Sequence, residues 1–142
     1  MSWQPLLHLP DEHSYRERFN EEYVNYSPLV MHDGMRVMFY PEMFDHAFFQ
    51  DTDRGGRRIP PVFSLERAER LLWIQGCLTD PSLPSYRRVM ANGEVRRLIL
   101  VESEQYLVVL RGVRGLTARF LTAYVADASG TVAKIKANPI WQ

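Results

Sequence analysis

After residue 84 the pattern of polar and apolar residues changes to the period of β-strands. Ser85 to Ala91 and Glu94 to Val101 flank Asn92-Gly93, a pair suited to a two-residue type I′ turn because both positions tolerate a positive φ. Gln105 to Arg111 and Thr117 to Ala126 make a second pair of segments, rich in β-branched and aromatic residues. The pattern predicts two hairpins that together form a four-stranded antiparallel sheet.

Small residues mark the ends of the predicted strands. Gly112 and Gly115 indicate the turn of the second hairpin, and Ala128-Ser129-Gly130 ends the sheet. Thr131 to Gln142 is then expected to be a short closing strand or tail.

The residues before the sheet have the period of an amphipathic helix. Ser64 is a good N-cap, and Glu66 lies in the first turn, where the helix dipole favours negative charge. From Leu65 to Leu78 the apolar side chains cover one broad face, and Glu66 with Arg70 has the spacing of an i,i+4 ion pair. Asp80-Pro81 ends the element, so the pattern predicts one helix over residues 65–78.

Three shorter elements are expected in the first half of the chain. Asp11 is a candidate N-cap for a short helix in the acidic, aromatic segment from Pro10 to Pro28. After the Asp33-Gly34 turn, Met35 to Tyr40 has the composition of a strand. Pro41 to Phe49 is a short apolar element whose type its periodicity does not decide.

The size and composition of the chain are those of one globular domain. Its 142 residues, 46% hydrophobic and 24% charged, suffice for a core without disulfides. Cys77, the one cysteine, lies in an apolar helical segment and is expected to be a small buried hydrophobe. The sequence therefore predicts an α+β fold in which helices pack on the four-stranded antiparallel sheet.

Neither a run of about 18 apolar residues nor a signal-peptide pattern occurs in the sequence. A cytoplasmic location without a membrane partner is therefore expected. Delivery into a target or host cell by a specialised route is an alternative, because it would leave no such signal.

Charge is distributed unevenly, although the net charge is zero. Residues 1–53 hold three basic and ten acidic side chains, whereas residues 54–119 hold twelve basic and six acidic ones. Fifteen of the seventeen basic residues are arginine, whose planar guanidinium binds phosphate bidentately. The asymmetry has two interpretations: a phosphate-binding surface, or neutralisation of one half by the other across an internal contact.

Three groups of arginines are candidates for following an RNA backbone. The first lies in residues 50–61, which have the composition of an exposed loop. The second is Arg67 with Arg70, three positions apart on one helix face. The third flanks Asn92-Gly93, where one arginine of each doublet should face solvent. The RNA-binding candidates are Arg54, Arg57, Arg58, Arg70, Arg87, Arg88, Arg96 and Arg97.

His46 is the histidine best suited to acid–base chemistry. An imidazole surrounded by Phe44, Phe48 and Phe49 would have its charged form disfavoured and could act as a base near neutral pH. A histidine whose ring is satisfied by a backbone carbonyl would have the same sequence context.

Hydroxyl groups on the last long strand form a second candidate group. Strand alternation puts Phe120, Thr122 and Tyr124 on one face, where the two hydroxyls can converge on one phosphate. Both are also ordinary strand residues. Arg119 points away from Thr122 in a regular strand and joins it only at a strand end or bulge.

Motifs for metal or cofactor binding are absent from the sequence. There is no phosphate-binding glycine loop, no Cys-x-x-Cys or His-Glu-x-x-His pattern and no Gly-x-Ser-x-Gly elbow. The four histidines are scattered. No metal and no cofactor are therefore predicted, and metal-free chemistry is the preferred hypothesis for an enzyme.

Several short segments occur in a recognisable order. They are Phe44-Asp45-His46-Ala47-Phe48-Phe49, Phe63-Ser64-Leu65-Glu66-Arg67-Ala68-Glu69-Arg70 with Trp73-Ile74 and Asp80-Pro81, Tyr106-Leu107-Val108-Val109-Leu110, and Phe120-Leu121-Thr122-Ala123-Tyr124. In this order they resemble the phage-encoded barnase/EndoU/colicin/RelE-like (BECR) nuclease families. The resemblance covers residues 36–126 and divides the single domain, residues 1–142, into an acidic N-terminal extension (1–35), a nuclease-like core and a C-terminal tail (127–142).

The resemblance implies a toxin- or effector-type endoribonuclease with N-terminal helices packed on a four-stranded antiparallel sheet. It implies attack of the ribose 2′-hydroxyl on the adjacent phosphate without a metal, which needs a base, an acid and cations. His46 would be base or acid, Arg67 and Arg119 would stabilise the phosphate, and Thr122 and Tyr124 would donate hydrogen bonds or protons. Its partners would be RNA, tRNA included, and a cognate inhibitor protein.

Two other functions fit the same residues. A non-catalytic module could bind RNA or a protein with the basic sheet, and a phage-associated scaffold component would expose a large apolar patch. A nuclease should bring His46 within side-chain reach of Thr122 or Tyr124. A binding module should instead bury His46 and spread the arginines over an open face.

Overall fold

The structure is a computed structural model that describes residues 3–51 and 60–142. Within these ranges the chain is a mixed α+β protein with a six-stranded sheet, a separate two-stranded sheet and five α-helices. In chain order the elements are α1 (Glu12–Phe19), a π-helical turn (Asn20–Val24), β1 (Leu29–Val30), β2 (Arg36–Met38), α2 (Met43–Ala47), β3 (Phe49–Gln50), β4 (Val62–Phe63), α3 (Leu65–Ala68), α4 (Leu71–Thr79), β5 (Ser85–Val89), β6 (Val95–Val101), a 3₁₀ turn (Glu102–Glu104), β7 (Tyr106–Arg114), β8 (Thr117–Val125) and α5 (Thr131–Lys136).

The main sheet is larger than the sequence predicts. Its strand order is β1-β2-β8-β7-β6-β5, so the expected meander of β5 to β8 is present and antiparallel. The prediction of four strands is wrong because β2 pairs with β8 in parallel and β1 then pairs with β2. β2 thereby pairs with Thr117 to Arg119 of β8, which would otherwise lie at an open sheet edge.

The turn between β5 and β6 differs from the predicted type. Met90 accepts a hydrogen bond from the Gly93 N–H at 2.9 Å and donates its own N–H to the Glu94 carbonyl at 2.8 Å. Gly93 has a φ of 88°, whereas Asn92 does not have a positive φ. The loop is therefore a three-residue turn with its glycine in the left-handed region, not a two-residue type I′ turn.

The predicted helix over residues 65–78 is two helices, α3 and α4. Ser64 caps α3 as expected, since its Oγ accepts the Arg67 N–H at 3.3 Å. The Glu69 carbonyl, which a continuous helix would pair with Trp73, instead accepts the Leu7 N–H at 2.8 Å, and Trp73 donates to Arg70. A contact from the N-terminal segment thus interrupts the helix.

The first 35 residues contribute to the main core. Asp11 caps α1 as predicted, its Oδ1 accepting the Ser14 N–H at 2.8 Å. Tyr15, Phe19 and Tyr23 are buried. The Tyr23 hydroxyl lies between two backbone groups of α4, donating to the Leu71 carbonyl and accepting the Gln75 N–H.

The sheet has two differently covered faces. The proximal face packs against α1 to α4 through the main core, to which Ile99, Val108 and Phe120 belong. The distal face carries a smaller cluster that includes Leu98, Leu107 and Leu121. The distal cluster is closed by α5 with Ile135, so the expectation of a closing strand or tail after residue 130 is wrong for residues 131–136.

Both β7 and β8 carry a β-bulge. Val109 pairs with Thr122 but Leu110 pairs with Phe120, so Leu121 is the extra residue of β8. On β7 the register shifts again beyond Arg111, where Gly112 has a φ of 59° and does not form the turn. These bulges change which side chains share a face.

The α-helices of the described ranges contain at most nine residues, and none of them could span a membrane.

Candidate functional site

A cavity of about 380 Å³ opens on the distal face of the sheet. We call it the distal cavity. Its floor consists of apolar side chains from three adjacent strands and from α5, namely Leu98, Leu107, Val109, Leu121 and Ile135. Such a concave, mainly apolar floor with polar groups around it is typical of small-molecule and single-base sites.

The rim of the distal cavity is polar and positively charged. Arg88 and Arg96, which are cross-strand partners on β5 and β6, lie on one side, and Lys134 of α5 lies on another. Thr122, Tyr124, Thr131 and Asn138 supply hydroxyl and amide groups. None of the described residues that line this cavity is acidic.

The bulge at Leu121 determines which residues of β8 face this cavity. Phe120 is fully buried in the proximal core, so the expectation that it shares a face with Thr122 and Tyr124 is wrong. Thr122 and Tyr124 do share the distal face and both line the cavity. Alternation also puts Arg119, which lies between buried Ala118 and Phe120, on the distal face.

Arg119 nevertheless lies apart from the two hydroxyls. It lines a separate groove at the end of the β5–β6 hairpin, together with Glu94, Gly112 and Arg114. Its guanidinium lies over Gly112, where a Cβ would come within 2.9 Å of Nη2. Arg119 therefore extends the positive charge of the distal face along the strands and does not line the distal cavity.

Glu94 holds two arginines of the distal face in fixed positions. Its carboxylate accepts from Arg96 Nε and from Arg111 Nε, each at 2.9 Å. The hydrogen bond from Arg96, assisted by that from Arg111, lowers the pKa of Glu94 below its ordinary value. Two guanidinium groups share one carboxylate, so this group of three keeps a net positive charge.

Arg67 approaches the same region from α3. Its guanidinium lies 5.2 Å from the centre of the Tyr124 ring, and Nη1 donates to the carbonyls of Ala47 and Phe49 at 3.4 and 3.3 Å. Burial lowers the pKa of Arg67. Arg67 thus supports Tyr124 from beside the cavity, as a cation–π partner.

His46 does not have the environment that the sequence predicts. Phe44 and Phe48 are fully buried on the core side of α2, whereas His46 is exposed on the opposite side. The expectation that aromatic side chains surround its imidazole is therefore wrong. His46 is also not among the residues that line the distal cavity.

The remaining predicted arginines divide between different places. Arg70 lies over Trp73 and donates to the Glu66 carbonyl and the Glu69 carboxylate, so the predicted Glu66–Arg70 ion pair is not formed. Arg97 is 2% exposed and Arg87 lies beside Trp141, both away from the distal face. Arg54, Arg57 and Arg58 fall outside the described residues.

Sequence reasoning missed several residues of this surface, among them Thr131 at the start of α5. Lys134 and Asn138 reach the cavity because residues 131–136 form a helix. Their i,i+4 spacing is the signal in the sequence that indicates this helix. Glu94 and Arg111 lie on different strands and meet only through the register of the sheet.

The described ranges bring together no group of three or more histidine, cysteine, aspartate or glutamate side chains that could hold a metal. Comparison with known proteins adds no relative: no protein-family model, no curated protein and no solved structure matches this chain.

Proposed function

We propose that this protein binds RNA on the distal face of its sheet. One observation carries the proposal: an apolar cavity of about 380 Å³ is bordered by Arg88, Arg96 and Lys134, with no acidic side chain among its described lining residues. The floor suits an unstacked base, and the cations suit the phosphate attached to it. Hydroxyl groups at the rim suit ribose or phosphate oxygens.

The charge beyond the cavity supports a ligand longer than one nucleotide. Arg111 and Arg119 are direct cross-strand partners on β7 and β8, and Arg119 is exposed. With Arg88 and Arg96 they form a row of arginines on one face of four adjacent strands, whose backbones lie about 5 Å apart. An RNA backbone could follow this row of positive charges.

Metal-independent cleavage of the bound RNA is the second function that we propose. It rests on the shared position of the Thr122 and Tyr124 hydroxyls at the cavity rim, with the Arg67 guanidinium beside the Tyr124 ring. Tyr124 could protonate the leaving 5′-oxygen, while Arg88 and Arg96 stabilise the charged phosphorane. The proton of the attacking 2′-hydroxyl would pass to solvent water, because no described lining residue is acidic and exposed His46 does not line the cavity.

Binding is tested by titrating fluorescent single-stranded RNA with purified protein in EDTA at several salt concentrations. Arg88→Gln and Arg96→Gln should each weaken binding several-fold, and together by about tenfold or more. Each should also reduce the slope of log affinity against log salt by about one. Arg18→Gln, on α1 of the proximal side, is the control and should bind like wild type. Unchanged affinity in the double variant would contradict the proposal.

Cleavage is tested by incubating total RNA and purified tRNA with the protein in EDTA. Tyr124→Phe and Thr122→Val keep the shape of the cavity but remove its hydroxyls, so they should abolish cleavage and leave binding nearly unchanged. His46→Ala shows whether the exposed imidazole takes part. If wild type binds RNA and leaves it intact, the protein is a binding module.

A further inference from the structure

A second, separate cavity lies at the other side of the β5–β6 pair. It has a volume of about 670 Å³ and is formed where the β5–β6 pair meets the C-terminal segment and the β7–β8 turn. Its polar and aromatic lining consists of His32, Asp33, Ser85, Arg87, Arg97, Trp141 and Gln142. We call it the Trp141 cavity. The distal cavity shares none of these described residues.

Two arginines are held together in the Trp141 cavity. Arg87 and Arg97 are direct cross-strand partners on β5 and β6. Their guanidinium carbons lie 5.3 and 5.0 Å from the centre of the Trp141 ring. Because like charges directly opposite each other destabilise a sheet, this arrangement requires compensation. The indole ring supplies part of it through cation–π attraction.

A single carboxylate neutralises only one of these two charges. Asp33 Oδ2 accepts from Arg97 Nη1 at 2.8 Å, and Ser85 Oγ accepts from Arg97 Nε at 3.1 Å. Within the part of the chain that the structure describes, Arg87 has no carboxylate within ion-pair distance and Arg97 Nη2 has no hydrogen-bond acceptor. Among the described residues, the charge of Arg87 therefore has no carboxylate partner, and Arg97 keeps guanidinium donors that no described group accepts.

Arg97 is fixed as well as charged. Its side chain is only 3% exposed, and its contacts with Asp33, Ser85 and Trp141 define one orientation. A guanidinium that is already ordered loses little entropy when it binds an anion. Apolar side chains of the cavity, among them Leu83, Val113 and Leu116, leave room for an apolar body next to the charged group.

We propose that the Trp141 cavity binds a small molecule that carries one phosphate or carboxylate group, bound between Arg87 and Arg97 against the indole of Trp141. The two sources of negative charge share one chemistry here, since a guanidinium fork binds either group bidentately. The proposal is independent of RNA binding because the two cavities lie on opposite faces of β5 and β6.

The test uses the indole N–H signal of Trp141 in a proton–nitrogen correlation spectrum, assigned by its loss in Trp141→Phe. The full chain is titrated separately with sodium phosphate and sodium benzoate at constant ionic strength. Either probe should shift the Trp141 signal in a saturable manner. The signals of Trp73, which lies in the main core, and of Trp3, which packs against it, should stay in place. A shift with phosphate alone or with benzoate alone identifies the preferred head group.

Arg87 and Arg88, which are both exposed and adjacent on β5, give a matched pair of variants. Arg87→Gln should weaken binding at Trp141 by about tenfold. Arg88→Gln changes the adjacent residue, which faces the distal cavity, and should leave the Trp141 titration unchanged. Arg97→Gln is unsuitable because the buried side chain supports the fold. A Trp141 signal that neither probe moves, or that moves equally in Arg87→Gln, overturns the proposal.

Discussion

Adjacent arginines of this protein serve different surfaces. Arg96 lies on the distal face, where Glu94 orients it at the cavity rim, whereas Arg97 is buried on the other face and paired with Asp33. Successive strand residues point to opposite faces, so one step along the chain separates the proposed RNA contact from a structural ion pair. Among the described ion pairs, Asp33–Arg97 is the one in which an acidic residue of the first 53 neutralises an arginine of residues 54–119.

The Asp33–Arg97 pair predicts a pH-dependent contribution to stability. Burial would raise the pKa of Asp33, but hydrogen bonds from Arg97 and from the Met35 N–H outweigh it and lower this pKa. When folding lowers the pKa of a carboxylate, the ionised form stabilises the folded protein. This stabilisation is complete at pH values above the unfolded-state pKa of about 3.9 and is lost as the pH falls through the folded-state pKa.

Asp33→Asn should therefore lower the free energy of unfolding by about 1–3 kcal/mol at neutral pH, since it leaves the Arg97 charge unpaired. Urea denaturation of wild type and variant from pH 7 to pH 2 should show this difference shrinking below about pH 4. Asp127→Asn, at an exposed position after β8, is the control. A difference that stays constant over the whole range would show that the ion pair is not its cause.

At the scale of elements, a local signal begins α3 and a distant contact ends it. Ser64 begins α3 because its hydroxyl and extended backbone suit an N-cap. The end of α3 depends on Leu7, which lies 62 residues away from Glu69 in the sequence and takes the Glu69 carbonyl out of the helix. The break between α3 and α4 leaves Arg67 in the last turn of α3, next to Tyr124.

The N-cap of α3 can be tested by substitution. Ser64→Ala should lower the free energy of unfolding by about 1 kcal/mol, because the Arg67 N–H loses its acceptor. Ser64→Asp keeps an acceptor at the same position and should retain most of the stability. Thermal unfolding of the three proteins measures the effect. Equal losses in both variants would mean that the Ser64 hydroxyl does not stabilise the helix.

At the scale of the whole molecule, the acidic N-terminal segment is part of the main core. Phe19 is fully buried, and its ring lies within about 6 Å of five others, those of Tyr23, Phe39, Phe44, Phe48 and Phe120. This cluster joins α1, α2 and β8. The described residues of this segment, 3–35, do not line the distal cavity.

Truncation of this aromatic cluster should have a large effect. Phe19→Ala should lower the free energy of unfolding by about 3–5 kcal/mol, a large part of the 5–15 kcal/mol typical of a whole domain. Tyr26→Ala, at a ring that is 78% exposed, should change it by less than about 0.5 kcal/mol. Chemical denaturation measures both. A small loss in Phe19→Ala would mean that residues 1–35 form a separable extension.

Sequence by itself determined the local features of this protein. The two hairpins of β5 to β8, the N-caps at Asp11 and Ser64 and the α+β class followed from periodicity and from side chains that bond to their own backbone. Tertiary structure decided the rest. The bulge at Leu121, the parallel pairing of β2 with β8 and the interruption of the helix at Glu69 all depend on partners distant in the sequence. Because the distal cavity combines side chains from four strands and α5, only those long-range contacts could bring it together.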